Sequence, residues 1–158
     1  MRGFTTPIVA PVAELSIRAD ADEIRRASAW LEQACRERNV PADRIARLDA
    51  CVNEVLANII THGGARALSL PIGLHLEVRH DHDGSAATVT VSDSGAAFDP
   101  VAYALPPRPA TLADAEPGGL GLVMIRSYAD RLSYRHSEQR NRFGMGGFDT
   151  VTVFGRPA

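Results

Sequence analysis

The sequence predicts a two-layer α/β sandwich of the α+β kind, with helices on one face of a mostly antiparallel, mixed sheet. Three observations predict it. Candidate elements run β-α-α-β-β-loop-α-β-β, so helices fall early and strands mostly late. The 158 residues, 45% of them hydrophobic, suffice for one core and are cramped for two. No internal repeat is present.

Each element has a local reason. Val12-Ala-Glu-Leu-Ser-Ile17 alternates as a first strand. Asp20 stands where an N-cap belongs, ahead of Ile24, Ala27, Trp30, Leu31 and Ala34 at helical spacing. Asn39-Val40-Pro41 breaks that helix, and Pro41 suits the first turn of the next. The second helix runs through Ile45, Leu48, Val52, Val55 and Ile59 to a stop at Gly63-Gly64. Leu70 to Arg79 and Ala86 to Val91 read as strands around the turn His80-Asp-His-Asp-Gly84, a polar hairpin turn rather than a metal chelate. Between Asp93 and Gly121 lie five of the ten prolines, the composition of a functional loop. Gly121 to Ala129 resumes helical spacing, and Leu132 to His136 and Phe148 to Phe154 alternate as closing strands around an Arg- and Gly-rich turn. Residues 1–11 form an N-terminal extension, and residues 12–155 a single domain.

Composition excludes several chemistries. All 17 basic residues are arginine, so there is no Walker-A lysine, no kinase strand lysine of the eukaryotic type, no Schiff-base lysine and no S-x-x-K serine. The net charge of −2 predicts no strong attraction to nucleic acid or anionic lipid. No apolar run approaches the roughly 18 residues of a membrane span, and Met1-Arg-Gly-Phe-Thr-Thr-Pro lacks a signal-peptide core. Cys35 and Cys51 lie in helical sequence without C-x-x-C spacing and read as reduced, buried thiols. The expected compartment is the cytoplasm.

Three segments could carry chemistry. On the second helix Glu54, Asn58 and His62 recur at i, i+4 and i+8, about 90° from the apolar stripe. A carboxylate there can take a proton, and an amide oxygen one turn on is a hard ligand suited to Mg²⁺; a solvated helix shoulder has the same pattern. Asp93-Ser-Gly-Ala-Ala-Phe-Asp99-Pro follows the strand Thr88–Ser92. Its first carboxylate either accepts from an exocyclic amino group or bonds its own turn, and Gly95 lets the chain approach a planar ring. Gly118-Gly119-Leu120-Gly121-Leu122 opens a helix, whose free N–H groups suit an anion.

Taken together the three segments resemble the boxes of the GHKL (Bergerat-fold) ATPases. Cys51-Val-Asn-Glu54-Val-Leu-Ala-Asn58-Ile-Ile-Thr-His62-Gly looks like the N box, and Asp93-x-Gly95-x-x-Phe98-Asp99-Pro100 like the G1 box. Gly119-Leu-Gly121-Leu-x-x-Ile125, continuing to Ala129-Asp130-x-Leu-x-Tyr134, looks like the G2 box and its trailing strand. The E-x-x-x-N-x-x-x-H form and the short chain are most similar to the anti-sigma-factor serine kinases. The resemblance implies a Bergerat-type ATP-binding fold that uses ATP and Mg²⁺. It implies Glu54 as general base, Asn58 as Mg²⁺ ligand, and Asp93 as reader of the adenine amino group, with Gly95 and Phe98 at the nucleotide. Gly118, Gly119, Leu120, Gly121 and Leu122 would cradle the phosphates, residues 100–117 would be the ATP lid, and Thr150 would support adenine recognition from the last strand. An arginine such as Arg108 or Arg126 would supplement the metal's charge.

The same resemblance implies partners: a sigma factor to sequester, a small anti-sigma-factor antagonist to phosphorylate on serine or threonine, and a second copy in a homodimer. A binding protein that switches partners with ATP but transfers no phosphate is the alternative, and Glu54 argues against it because a pure binder needs no base there. A detached histidine-kinase catalytic domain ranks last, since no preceding helix pair carries a phospho-acceptor histidine.

Overall fold

The computed structural model of the chain describes residues 9–81, 84–95, 125, 128–129 and 131–146. Its strands are β1 (Val12–Ile17), β2 (Ile72–Asp81), β3 (Gly84–Asp93), β4 (Arg131–Ser137) and β5 (Arg140–Gly146), and its helices α1 (Ala21–Glu37), α2 (Ala42–His62) and α3 (Gly64–Ser69). The strands form one sheet in the order β1-β2-β3-β5-β4, and every described pair is antiparallel. Both long helices lie on one face of it, as the element order predicts.

Period-2 alternation sets the faces of the sheet. Ile72, Leu74, Leu76 and Val78 on β2, Ala87, Val89 and Val91 on β3, and Phe143 and Met145 on β5 are buried. They meet Ala27, Leu31, Ala34 and Cys35 of α1 and Leu48, Cys51, Val52, Val55 and Leu56 of α2 in one core. Trp30 and Ile59 pack at its margin. Asp93 and Asn141 continue the inward-facing rows of β3 and β5, and they too are buried. Polar side chains at the inner ends of core rows mark where the sheet stops filling space and starts lining a site.

Local chemistry fixes the helix ends. Asp20 caps α1, its side chain accepting from the Glu23 N–H at 3.0 Å. Pro41 sits one position earlier than the sequence suggests, at the N-cap of α2, where its extended ψ of 148° holds it outside the first turn. Its carbonyl accepts from Arg44 and Ile45 at 3.1 and 3.0 Å. Gly63 ends α2 as predicted, but Gly64, at φ +82°, turns the chain straight into the short α3 that periodicity does not reveal. Arg38 is buried behind α1, donating to the carbonyls of Ala34 at 2.8 Å and Val12 at 3.2 Å, and so ties the helix to the edge strand.

One expectation is overturned. The Arg- and Gly-rich segment after Ser137 is not a turn: Arg140–Gly146 is β5, paired with both β3 and β4. The turn is only Glu138-Gln139, both at positive φ (52° and 62°), as a tight hairpin turn of the primed kind requires. β2 is displaced two residues toward the C-terminus of the expected strand, and β3 extends two residues beyond it at each end, so Asp81 already pairs with Gly84. The proposed closing strand Phe148–Phe154, the extension 1–8, the lid 100–117 and most of the helix Gly121–Ala129 lie outside the described residues. Of that helix, Ile125 is buried, and its carbonyl accepts from Ala129 N–H at 2.9 Å. Among the described residues no helix is long and apolar enough to cross a membrane.

Candidate functional site

The site grows from the C-terminal half of α2 and the end of β3. Burial of Val52, Val55 and Leu56 against the sheet turns the neighbouring row outward: Glu54 and Asn58 are half-buried and His62 is exposed. Such partial burial suits a row at the rim of a cleft. The row ends at Gly63, whose N–H donates to Ile59 O at 2.8 Å. There is no room for a side chain at Gly63, because a Cβ would stand 2.5 Å from both Ala67 Cβ and Ile59 O.

Gly63 in turn packs against Gly95. A Cβ on Gly95 would lie 2.9 Å from Gly63 O and 2.9 Å from Asp93 Oδ1. The glycine of the turn after β3 is therefore needed for close approach, and it brings that turn to the end of α2.

Asp93 is 7% exposed. Its Oδ1 accepts from Gly95 N–H at 2.7 Å and from Asn141 Nδ2 at 3.2 Å. The self-bonded turn that competes with a ligand-reading role is thus real, but it occupies one oxygen. Among the described residues no hydrogen bond reaches Oδ2, which retains its capacity to accept. Ser94, equally buried, is held by Arg140 Nη1 at 3.2 Å. Asn141 also donates to Gly95 O at 3.2 Å and accepts from Tyr134 Oη at 2.5 Å and His136 Nδ1 at 2.8 Å.

An open pocket of about 440 Å³ lies beside these groups, between the α2–α3 junction (Gly63, Ala65, Arg66), the turn after β3 (Ser94, Gly95) and the β4–β5 turn (His136, Gln139). It has glycine walls that suit a flat ring, with an arginine and a histidine at its edge. Glu54 and Asn58 do not line it; they lie further back along α2. Asp93 and Gly95 are joined in one turn, and Gly95 adjoins the end of the helix bearing Glu54 and Asn58. Phe98, Gly118, Gly119, Leu120, Gly121, Leu122 and Thr150, with Arg108 and Arg126, lie outside the described residues.

Sequence reasoning missed Gly63 as a contact and Asn141, Tyr134 and His136 as a network. Gly63 was legible only as a helix stop. Asn141 carries no signal until the β3–β5 register sets it opposite Asp93.

The family described as "Histidine kinase-like ATPase domain" matches residues 17–145. The serine/threonine-protein kinase BtrW of Bordetella bronchiseptica is 33% identical over 112 residues, which are 71% of this chain and 76% of that protein. The crystal structure of the RsbU and RsbW domains of Rv1364c from Mycobacterium tuberculosis superposes with a TM-score of 0.62 at 17% identity, covering 89% of this chain. This chain spans only 33% of that longer one. The SiaB–SiaC complex structure from Pseudomonas aeruginosa gives a TM-score of 0.52 at 13% identity, covering 86% of this chain and 89% of the matched chain. At these identities the two structures speak for the fold.

Proposed function

The chain belongs to the histidine kinase-like ATPase domain family, and from that premise we propose that it is an ATP-dependent protein serine/threonine kinase of the anti-sigma-factor type. The observation that carries this reading is Asp93: a buried carboxylate at a strand end, one oxygen engaged and the other without a hydrogen bond among the described residues, beside a contact only glycine allows. Those features fit adenine, whose exocyclic amino group needs an acceptor and whose flat ring needs close backbone. The 33% identity to a protein named as a serine/threonine-protein kinase supports the reaction class.

The residues also fit the metal. Mg²⁺ takes one or two protein oxygens and completes its shell with phosphates and water. Asn58 offers the amide oxygen. ATP supplies the phosphoryl group, and Mg²⁺ offsets its charge. Asp93 and Gly95, with Phe98, hold the base, and the segment Gly118 to Leu122 offers N–H groups to the phosphates, with Thr150 as a further support for the base. Glu54, one helical turn before Asn58, would accept the proton of the partner's hydroxyl as that oxygen bonds to the γ-phosphorus and the bond from the γ-phosphorus to ADP breaks, with ADP leaving. In this reading the partners are a small antagonist protein that carries the acceptor hydroxyl and a sigma factor held by the kinase. A homodimer belongs to the same reading, β1 being a sheet edge that pairs among the described residues with β2 alone. The setting is the cytoplasm.

The test is direct. Purified protein incubated with γ-labelled ATP, Mg²⁺ and a candidate antagonist should pass label to a serine or threonine of the antagonist, and EDTA should stop it. ATP-dependent capture of a partner without any transfer would replace the kinase by a nucleotide-gated binding protein.

A further inference from the structure

Across three strands the structure sets three polar residues in one row: Asp93 on β3 faces Asn141 on β5, which faces His136 on β4. Asn141 is 6% exposed, and its amide is saturated. A primary amide has two N–H donors and an oxygen with two acceptor positions. Here both donors are used, on Asp93 Oδ1 and Gly95 O at 3.2 Å each, and both acceptor positions are filled, by Tyr134 Oη and His136 Nδ1. The orientation of the amide follows from these partners. Rotating it by half a turn would set its oxygen against Asp93 Oδ1 and Gly95 O, two acceptors, and its NH₂ against Tyr134 and His136.

The arrangement has a chemical consequence. A carboxylate oxygen accepts, and the Asn141 N–H donates to Asp93 Oδ1 without bringing a charge of its own. It also pins Oδ1 in the turn, which leaves Oδ2 as the oxygen that can turn to a ligand. We propose that Asn141 is the positioning residue for base recognition, holding the Asp93 carboxylate oriented toward the amino group that marks adenine. This rests on the nucleotide reading above and deepens it. Asn141 then supports Asp93 from the neighbouring strand β5.

Base discrimination is the readout, because a merely structural role would weaken all nucleotides alike. Inosine triphosphate has the phosphates and ribose of ATP but a carbonyl in place of the amino group. Calorimetry with Mg²⁺ should show the wild type binding ATP about tenfold or more tightly than inosine triphosphate, and Asp93→Asn should erase the difference. Asn141→Leu, close in shape, should reduce the ratio at least about fivefold while circular dichroism shows an intact fold. Asn141→Asp sets a second carboxylate beside the first. It too should lose discrimination, because a carboxylate has no donor to offer Asp93 Oδ1.

The outcomes separate the two claims. A wild type that does not prefer ATP, or a preference that survives Asp93→Asn, overturns the Asp93 reading and this inference with it. A folded Asn141→Leu or Asn141→Asp protein with the full wild-type ratio overturns the role of Asn141 alone. If the variants do not fold, the wild type still decides the matter by NMR. The side-chain amide signals of Asn141 should shift on addition of ATP and much less with inosine triphosphate, and equal responses to the two overturn the inference.

Discussion

The carbonyl oxygen of Gly63 and the α-carbon of Gly95 approach so closely that a Cβ on Gly95 would stand 2.9 Å from that oxygen. The contact joins the end of α2 to the turn that follows β3. One element carries Glu54 and Asn58 and the other carries Asp93, so two backbone segments without side chains fix the site's relative geometry.

Gly95→Ala tests that contact. The obstacles are a backbone carbonyl and the Asp93 carboxylate, and neither is a flexible chain end that can swing away. The turn must shift, at a cost of about 1–3 kcal/mol. Thermal unfolding should show the loss, and nucleotide affinity should fall by more than stability alone explains, because the shift displaces Asp93 Oδ1. An Ala variant with wild-type stability and affinity would show that the turn is not held by this contact.

Asp93→Asn removes charge while nearly keeping shape. A charge-assisted hydrogen bond is worth about 1.5–3 kcal/mol, so ATP affinity should drop about tenfold or more. The new amide can keep its oxygen at the Oδ1 position, accepting from Gly95 N–H and Asn141 Nδ2, and then sets an NH₂ donor at the Oδ2 position, where the reading needs an acceptor. Calorimetry measures the drop, and unchanged affinity would remove Asp93 from the base site.

Cys35 and Cys51 predict a pH dependence of stability. Burial pushes both thiols from the ordinary 9.0 up to about 11, with Arg38 pulling Cys35 slightly back. The fold therefore favours the neutral thiol. Its contribution is fully present below pH 9, where the unfolded thiols are also neutral, and is lost as pH rises from about 9 to about 11. A difference of this size is worth on the order of 2–3 kcal/mol per thiol. Urea midpoints should fall across that window, and less steeply in Cys51→Ala. Below pH 9 a thiol reagent should label neither cysteine until the chain unfolds; rapid labelling of native protein contradicts their burial.

Much of this was legible in the sequence because it is local. The 3.6-residue period of α1 and α2, the Asp20 cap and the alternation of β1 to β4 depend on neighbours a few positions apart, and the structure agrees with all of them. β5 was misread because its hairpin turns on Glu138-Gln139, which carry none of the glycine or asparagine that announces positive φ. The glycines at 144 and 146 then made a paired strand look like a loop. For the site, Asp93 and Gly95 were legible as a turn, and Glu54 and Asn58 as a row. Asn141 was not, since its meaning comes from a register 48 residues away in sequence.

The kinase is separated from a mere binder at Glu54. It precedes Asn58 by one turn of α2 and shares its half-buried flank, away from the pocket beside Asp93. A base in that place acts on the hydroxyl proton in the transition state and adds little to ground-state binding. Glu54→Gln keeps shape and hydrogen bonding but cannot take a proton, so ATP affinity and partner capture should stay within about twofold. Phosphate transfer should fall by about 10²–10⁴, the usual weight of a general base. Asn58→Ala should behave differently: with the amide oxygen gone, Mg²⁺-dependent affinity and transfer should decline together. A label-transfer assay beside calorimetry reads both variants. Equal loss of affinity in the two would make Glu54 part of the binding surface, and unchanged transfer in Glu54→Gln would place the base elsewhere.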